Sequence, residues 1–190
     1  MPSFIWIILM LIVLLPVVWV LLTHILFSAR QKRLTTEKEA LEITLIRYYN
    51  VLMQHIRALS KFIAYQHEAF DELSRWRLST DDRLSLKMNE RYFTKMLTVE
   101  KVLVEVYQRH PELLQKPIIK QLFDDYHLVH TAFMRHRRRL NAMVASYNAF
   151  ITSFPHNVLA KFFQLSTERF FKTEPLSPID EKLNHLKGEE

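Results

Sequence analysis

Cysteine is absent from this sequence, and glycine occurs once in 190 residues, at Gly188. The first absence removes disulfides, thiolate metal sites and cysteine nucleophiles. The second removes folds that depend on sharp turns. Type I′ and II′ hairpins, phosphate-cradling loops and nucleophile elbows use glycine for backbone geometries that other residues avoid. Rossmann and P-loop architectures are thereby excluded, which leaves long helices joined by few turns. A third absence is local: the first 29 residues contain no Asp, Glu, Lys or Arg.

Within that uncharged stretch, Phe4 to Phe27 is apolar apart from Thr23 and His24. A membrane-spanning helix needs roughly 20 apolar residues at about 1.5 Å each, and this run is long enough. Pro16 lies inside it, and proline is tolerated in spanning helices. A cleaved signal peptide would carry basic residues ahead of a shorter apolar run and small side chains at its exit. Here no Lys or Arg precedes the run and bulky Phe27 stands at its exit, so a retained anchor is expected. Arg30, Lys32 and Arg33 follow at once. Basic residues beside a span stay in the cytoplasm, so the N-terminus is expected outside and the remainder inside. The nearby Glu37, Glu39 and Glu42 weigh little under that rule.

All 26 Lys and Arg and all 20 Asp and Glu lie beyond Ala29, so the remainder has a net charge of +6. Such a body is attracted to an anionic leaflet. Thr36-Glu37-Lys38-Glu39 reads as a capping box that opens a first helix running to about Arg77. No breaker separates it from the anchor, so one continuous helix is the alternative. Leu45, Leu52, Leu59 and Leu73 recur on a row of sevens with Gln66 its one polar member, beside a row of Leu41, Tyr48, Phe62 and Trp76 and another of Tyr49, Ile56, Ile63 and Phe70. These rows make a broad apolar stripe of helical period. Ser79-Thr80-Asp81-Asp82 supplies a turn and cap. A second helix, carrying Leu86, Phe93, Leu97, Val104 and Tyr107, then extends to about Arg109. Pro111 and Pro117 bracket a short connection, with Pro117 placed as a first helical residue. The third helix runs to about Phe154 on a row of sevens: Ile119, Tyr126, Phe133, Leu140, Tyr147, Phe154. Sustained sevens predict coiled-coil-like antiparallel packing. A short helix over Asn157 to Leu165 follows, with Val158, Leu159, Phe162 and Phe163 available to close the bundle end. The expected fold is all-α: an N-terminal transmembrane helix (1–29), an elongated bundle of three long helices plus a short C-terminal helix (30–171), and a loosely ordered tail (172–190).

The stretch from Arg137 to Pro155, RRRLNAMVASYNAFITSFP, resembles the signature of the LemA family of bacterial membrane proteins. There an Arg and Asn pattern with Tyr-Asn pairs seven apart precedes Phe-Pro and an Asn-x-x-Ala helix, which Asn157-Val158-Leu159-Ala160 matches. Glu105-Val106-Tyr107 with Pro111-Glu112-Leu113, and His67-Glu68, resemble further family segments. The likeness covers most of the chain and is strongest from Val102 to Phe171. Leu140 stands where a tyrosine would be expected, Met53-Gln54 near an expected Pro-Asn pair, and Gln164 at a position often glycine. The resemblance implies an anchored, cytoplasm-facing bundle at the bacterial inner membrane, and it implies no enzymatic activity.

Few constellations carry chemistry. Asp124-x-x-His127 is half of the carboxylate-x-x-His element of di-metal bundles, but no second copy exists and His127 sits one step off the apolar row. No metal, cofactor or small-molecule substrate is expected. Serine and threonine lack a His-Asp pattern, so no catalytic residue is assigned. The run Arg135-His136-Arg137-Arg138-Arg139 is the densest charge cluster. Arg135, Arg138 and Arg139 face away from the apolar rows, whereas His136, Arg137 and His130 fall on them. A buried arginine needs a partner, and Glu68 or Asp71 would serve Arg137. With Tyr147 and Asn148 these residues form the candidate interaction or structural polar cluster. The basic run is short and interspersed acids accompany it along the chain, which disfavours nucleic acid. The aromatic pairs Phe162-Phe163 and Phe170-Phe171 are expected to close the bundle rather than enter the membrane. The expected role is a membrane-anchored scaffold whose partners are the bilayer, through Phe4 to Phe27, and other membrane proteins or copies of itself. The alternatives are a metal-dependent bundle enzyme and a surface sensor of anionic lipid.

Overall fold

A computed structural model describes residues 2–62, 70–71, 75 and 86–172. Its helices are α1 (Pro2–Leu59), α2 (Leu86–Arg109), α3 (Pro117–Thr152) and the short α4 (His156–Phe162). A 3-10 turn, Pro111–Gln115, joins α2 to α3. No strand occurs among the described residues, and the fold is all-α with one long apolar N-terminal helix.

The capping box expected at Thr36 is not a helix start. Thr36 lies inside α1 and its hydroxyl donates to the Lys32 carbonyl at 3.1 Å, as Thr35 donates to Gln31. With no proline or glycine between Ala29 and Thr36, the backbone N–H groups have helical partners one turn back, and a cap has no orphan donor to satisfy. α1 also ends sooner than Arg77. After Leu59 the chain tightens into a turn, with Ser60 N–H on the Ile56 carbonyl and Phe62 N–H on that of Leu59. Phe62 consequently leaves its predicted apolar row and is exposed, with the Lys116 ammonium 5.8 Å from its ring centre. Phe70, Asp71 and Arg75 are helical; Ile63, Glu68, Leu73, Trp76 and the cap at Ser79 lie outside the described residues.

The chain divides into two compact units. The first comprises Met1–Glu37 and Arg139–Phe170, the second Lys38–Arg138 and Phe171–Glu190. In the second, Leu41, Leu45, Tyr48 and Leu52 of α1 are fully buried, as are Phe93 of α2 and Ile119 and Phe133 of α3. The Tyr48 ring lies 5.9 to 6.2 Å from Tyr126, Phe133 and Phe93, and Phe93 stacks on Phe133 at 4.6 Å. Aromatic pairs at such separations add to burial through offset and edge-on geometry. Phe171 closes this cluster against Phe93 and Phe133.

In the first unit, Phe27 and Leu34 of α1 and Leu140, Val144 and Tyr147 of α3 form the core. The pairs Phe27–Phe150, Gln31–Tyr147 and Glu37–Arg139 rise on α1 as they fall on α3, so the helices are antiparallel here. The row of sevens holds from Leu140 to Tyr147 and fails at its last member. α3 stops at Thr152, beyond which helical register no longer directs side chains, and Phe154 is 83% exposed. A cis Phe154-Pro155 bond leads into α4. α4 ends with Gln164 at φ 53°, Gln164 N–H on the Lys161 carbonyl and Leu165 N–H on that of Ala160. This paired bonding with a left-handed residue is a Schellman cap, whose special position favours glycine.

Candidate functional site

Three places concentrate polar side chains. The first lies where α1 leaves its apolar run. The Thr23 hydroxyl, one of the run's two polar side chains, donates to the Trp19 carbonyl at 2.8 Å and exposes no unpaired donor. Past Ala29, Arg30 donates to the Ser146 hydroxyl at 3.0 Å, and its guanidinium rests 4.3 Å from the Phe150 ring centre. Arg30 and Arg33 line a pocket of about 240 Å³ with Leu26, Met143, Ser146 and Tyr147. Gln31 donates to the Tyr147 hydroxyl at 3.4 Å, which engages the one polar atom of that buried side chain.

Asn148 acts differently from its neighbour. Its amide donates to the Glu168 carbonyl at 2.9 Å and accepts from the Glu168 N–H at 2.8 Å. The side chain thus copies the two-way pairing of a backbone neighbour and fixes the segment after α4. In the second unit, Glu90 accepts the Lys172 N–H, beside the buried Phe171.

The basic run is divided between the units. Arg139 is exposed and lies 3.5 Å from Glu37, which is 9% exposed at its side chain. Arg135 and Arg138 are exposed too, as their positions off the apolar rows predict. His136 and Arg137 are half-buried. Burial, followed by the neighbouring Arg138 charge, lowers the Arg137 pKa. Of the partners expected for it, Asp71 is exposed and Glu68 lies outside the described residues. His130 is buried, its ring parallel to Tyr126 at 5.5 Å and against Tyr48 at 5.7 Å.

The third place escaped sequence reasoning. His55, Glu100, Tyr107 and Tyr126 line a small pocket of about 20 Å³ in the second unit, together with Leu103, Val104 and Phe123. That space is on the scale of one water molecule. The His55 Nδ1 lies 3.1 Å from the Val51 carbonyl, and a carbonyl only accepts, so Nδ1 carries the proton. Burial lowers the His55 pKa to about 4, against smaller opposing effects of the Val51 bond and Asp125. Burial also raises that of the Tyr107 phenol, which stays protonated. The signal for His55 was present: it is the polar member of the row through Leu41, Tyr48 and Phe62. Among the described residues no three His, Asp or Glu side chains gather as a metal site would require, and Asp124 is exposed.

The architecture is therefore an all-α bundle carried behind one apolar helix long enough to cross a membrane. Against protein-family models, residues 37–181 match the LemA family. The chain belongs to that family. A comparison with curated proteins finds no match.

Proposed function

We propose that the protein is a single-pass membrane scaffold: α1 anchors it, and the helical body binds other membrane proteins or further copies of itself on the cytoplasmic face. One observation carries this reading. Every residue of α1 from Trp6 to Val18 is exposed, whereas the core helix of a soluble protein would be mostly covered. Trp6, Met10, Ile12 and Leu15 are each more than 60% exposed, all round the helix. A helix apolar on every face belongs in a core or in lipid. Arg30, Lys32 and Arg33 give the inward direction by the positive-inside rule. Confinement to a surface raises effective concentration toward partners in the same membrane, a role that needs no catalytic step. Crosslinking in intact membranes, followed by affinity purification of the full chain, tests the proposal. Discrete crosslinked species are expected, and a yield of monomer alone would count against it.

A further inference from the structure

Outside α1, the first unit leaves four large apolar side chains uncovered, Phe154 at 83%, Phe162 at 78%, Val158 at 58% and Phe170 at 43% exposure, so Val158 and Phe162 do not close the bundle end as expected. Val158 and Phe162 are four residues apart on α4 and share a face. The other side of α4 is occupied, since Leu159 and Ala160 are buried. A short helix apolar on both sides, one of them bare, is foreign to a water-facing surface.

Its position indicates what covers it. The Phe163 ring meets His24 edge-on at 5.1 Å, and Phe150 meets Phe27 at 5.3 Å. α4 therefore lies alongside the last turns of the uncharged apolar run, at the level where the first charge, Arg30, sits on Phe150. Charge agrees with position. No Asp or Glu occurs from Tyr126 to Thr167. The first unit carries Arg30, Lys32, Arg33, Arg139, Lys161 and Arg169 against Glu37 and Glu168, a net +4 of the chain's +6. An apolar face with cationic surroundings and few acids is the pattern of a helix lying in the plane of an anionic leaflet.

We infer that Phe154, Val158 and Phe162 enter the headgroup–acyl boundary of the leaflet from which α1 emerges, so that α4 is a second membrane contact lying flat beside the spanning helix. The occupant of the bare face is anionic phospholipid. Lys161, between the apolar positions, reaches the headgroups by its flexible stem. The inference rests on reading α1 as an anchor.

Because the chain has no cysteine, single labels report without background. Full-length Phe162→Cys, Val158→Cys, Ile12→Cys and Ala142→Cys, each carrying a nitroxide, are placed in vesicles of phosphatidylglycerol and phosphatidylcholine. Collision with oxygen, which concentrates in lipid, is compared with collision with a water-soluble nickel chelate. The oxygen-to-nickel ratio at 162 and 158 is expected nearer that at 12 than that at 142, where an exposed α3 residue faces water. An embedded label at 12 with water-like ratios at 158 and 162 overturns the inference and leaves the anchor standing. A water-like ratio at 12 removes the anchor, and this inference with it. Protection at 162 from both reagents, with dipolar broadening between labels, assigns the face to a second copy and also overturns it. Circular dichroism of each variant confirms retained helix, and Leu159→Cys, on the buried side, should resist both reagents.

Discussion

At the scale of single residues, His55 and Gln164 hold unfavourable states that the fold imposes. His55 is neutral in the folded protein because its buried ring cannot hold a charge at ordinary pH. Its pKa falls from 6.5 to about 4 on folding, so the unfolded chain takes up the proton first as pH drops. The stability this represents is complete above about 6.5, and up to about 3 kcal/mol is lost as pH falls toward 4. Thermal unfolding of the full chain in detergent should steepen over that interval, and His55→Leu should flatten it relative to the parent. An equal pH slope in both would contradict the assignment. Gln164 pays the steric cost of a left-handed backbone at the α4 cap. Gln164→Gly removes the Cβ clash and should stabilise by about 1 kcal/mol, while Gln164→Ala should not. The two melting temperatures decide it. The family resemblance marked this position as often glycine, and the backbone supplies the reason.

Among the elements, the apolar rows were legible because burial writes a period of seven into any helix that packs along one side. Ile119, Tyr126, Phe133, Leu140 and Tyr147 are all buried as that period requires. Helix ends were legible where proline marks them, since α2 stops at Arg109 just before Pro111 and α3 starts at Pro117 as read, but not where a row of apolar residues runs on. Thr36 carries a good cap motif in the middle of α1, and Phe62 and Phe154 continue rows past the points where α1 and α3 stop. A stripe constrains which face is covered, not where the hydrogen-bonded ladder terminates. The pocket around His55 was hidden for a different reason: Glu100 and Tyr107 come from α2, and no local pattern in α1 announces them. Asn148 likewise reads only as a member of a polar cluster, yet it grips Glu168 twenty residues on. Asn148→Ala should cost about 1–2 kcal/mol for its two hydrogen bonds and speed amide exchange at Glu168. Unchanged exchange there would mean the segment is held by other contacts.

Taken whole, the molecule combines a charge-free first 29 residues with a basic remainder, and that asymmetry makes orientation measurable. Ser3→Cys should react with a membrane-impermeant maleimide added to intact cells, and Ser166→Cys only after permeabilisation, because flanking Lys and Arg are retained inside. Labelling of Ser166→Cys alone in intact cells would reverse the topology. Membrane tethering itself is tested by alkaline washing: the full chain should stay with the pellet, and a chain beginning at Arg30 should not.

The two main helical segments of the first unit lie far apart in the sequence: Arg30 finds Ser146, and Gln31 finds Tyr147, each across 116 residues. Chains grow from the N-terminus at about 5–20 residues per second, so α1 waits on the order of ten seconds for its partners to be made. During that interval Phe27 and Leu34 lack their α3 partners, while the second unit has residues 38–138, all but its last segment from Phe171, made before position 139. A newborn apolar helix left bare that long aggregates unless something receives it. Delivery of the apolar run of α1 into a bilayer during translation would shelter its longest bare stretch and hold one end of the late-closing pair still. The order of synthesis and the order of assembly would then coincide.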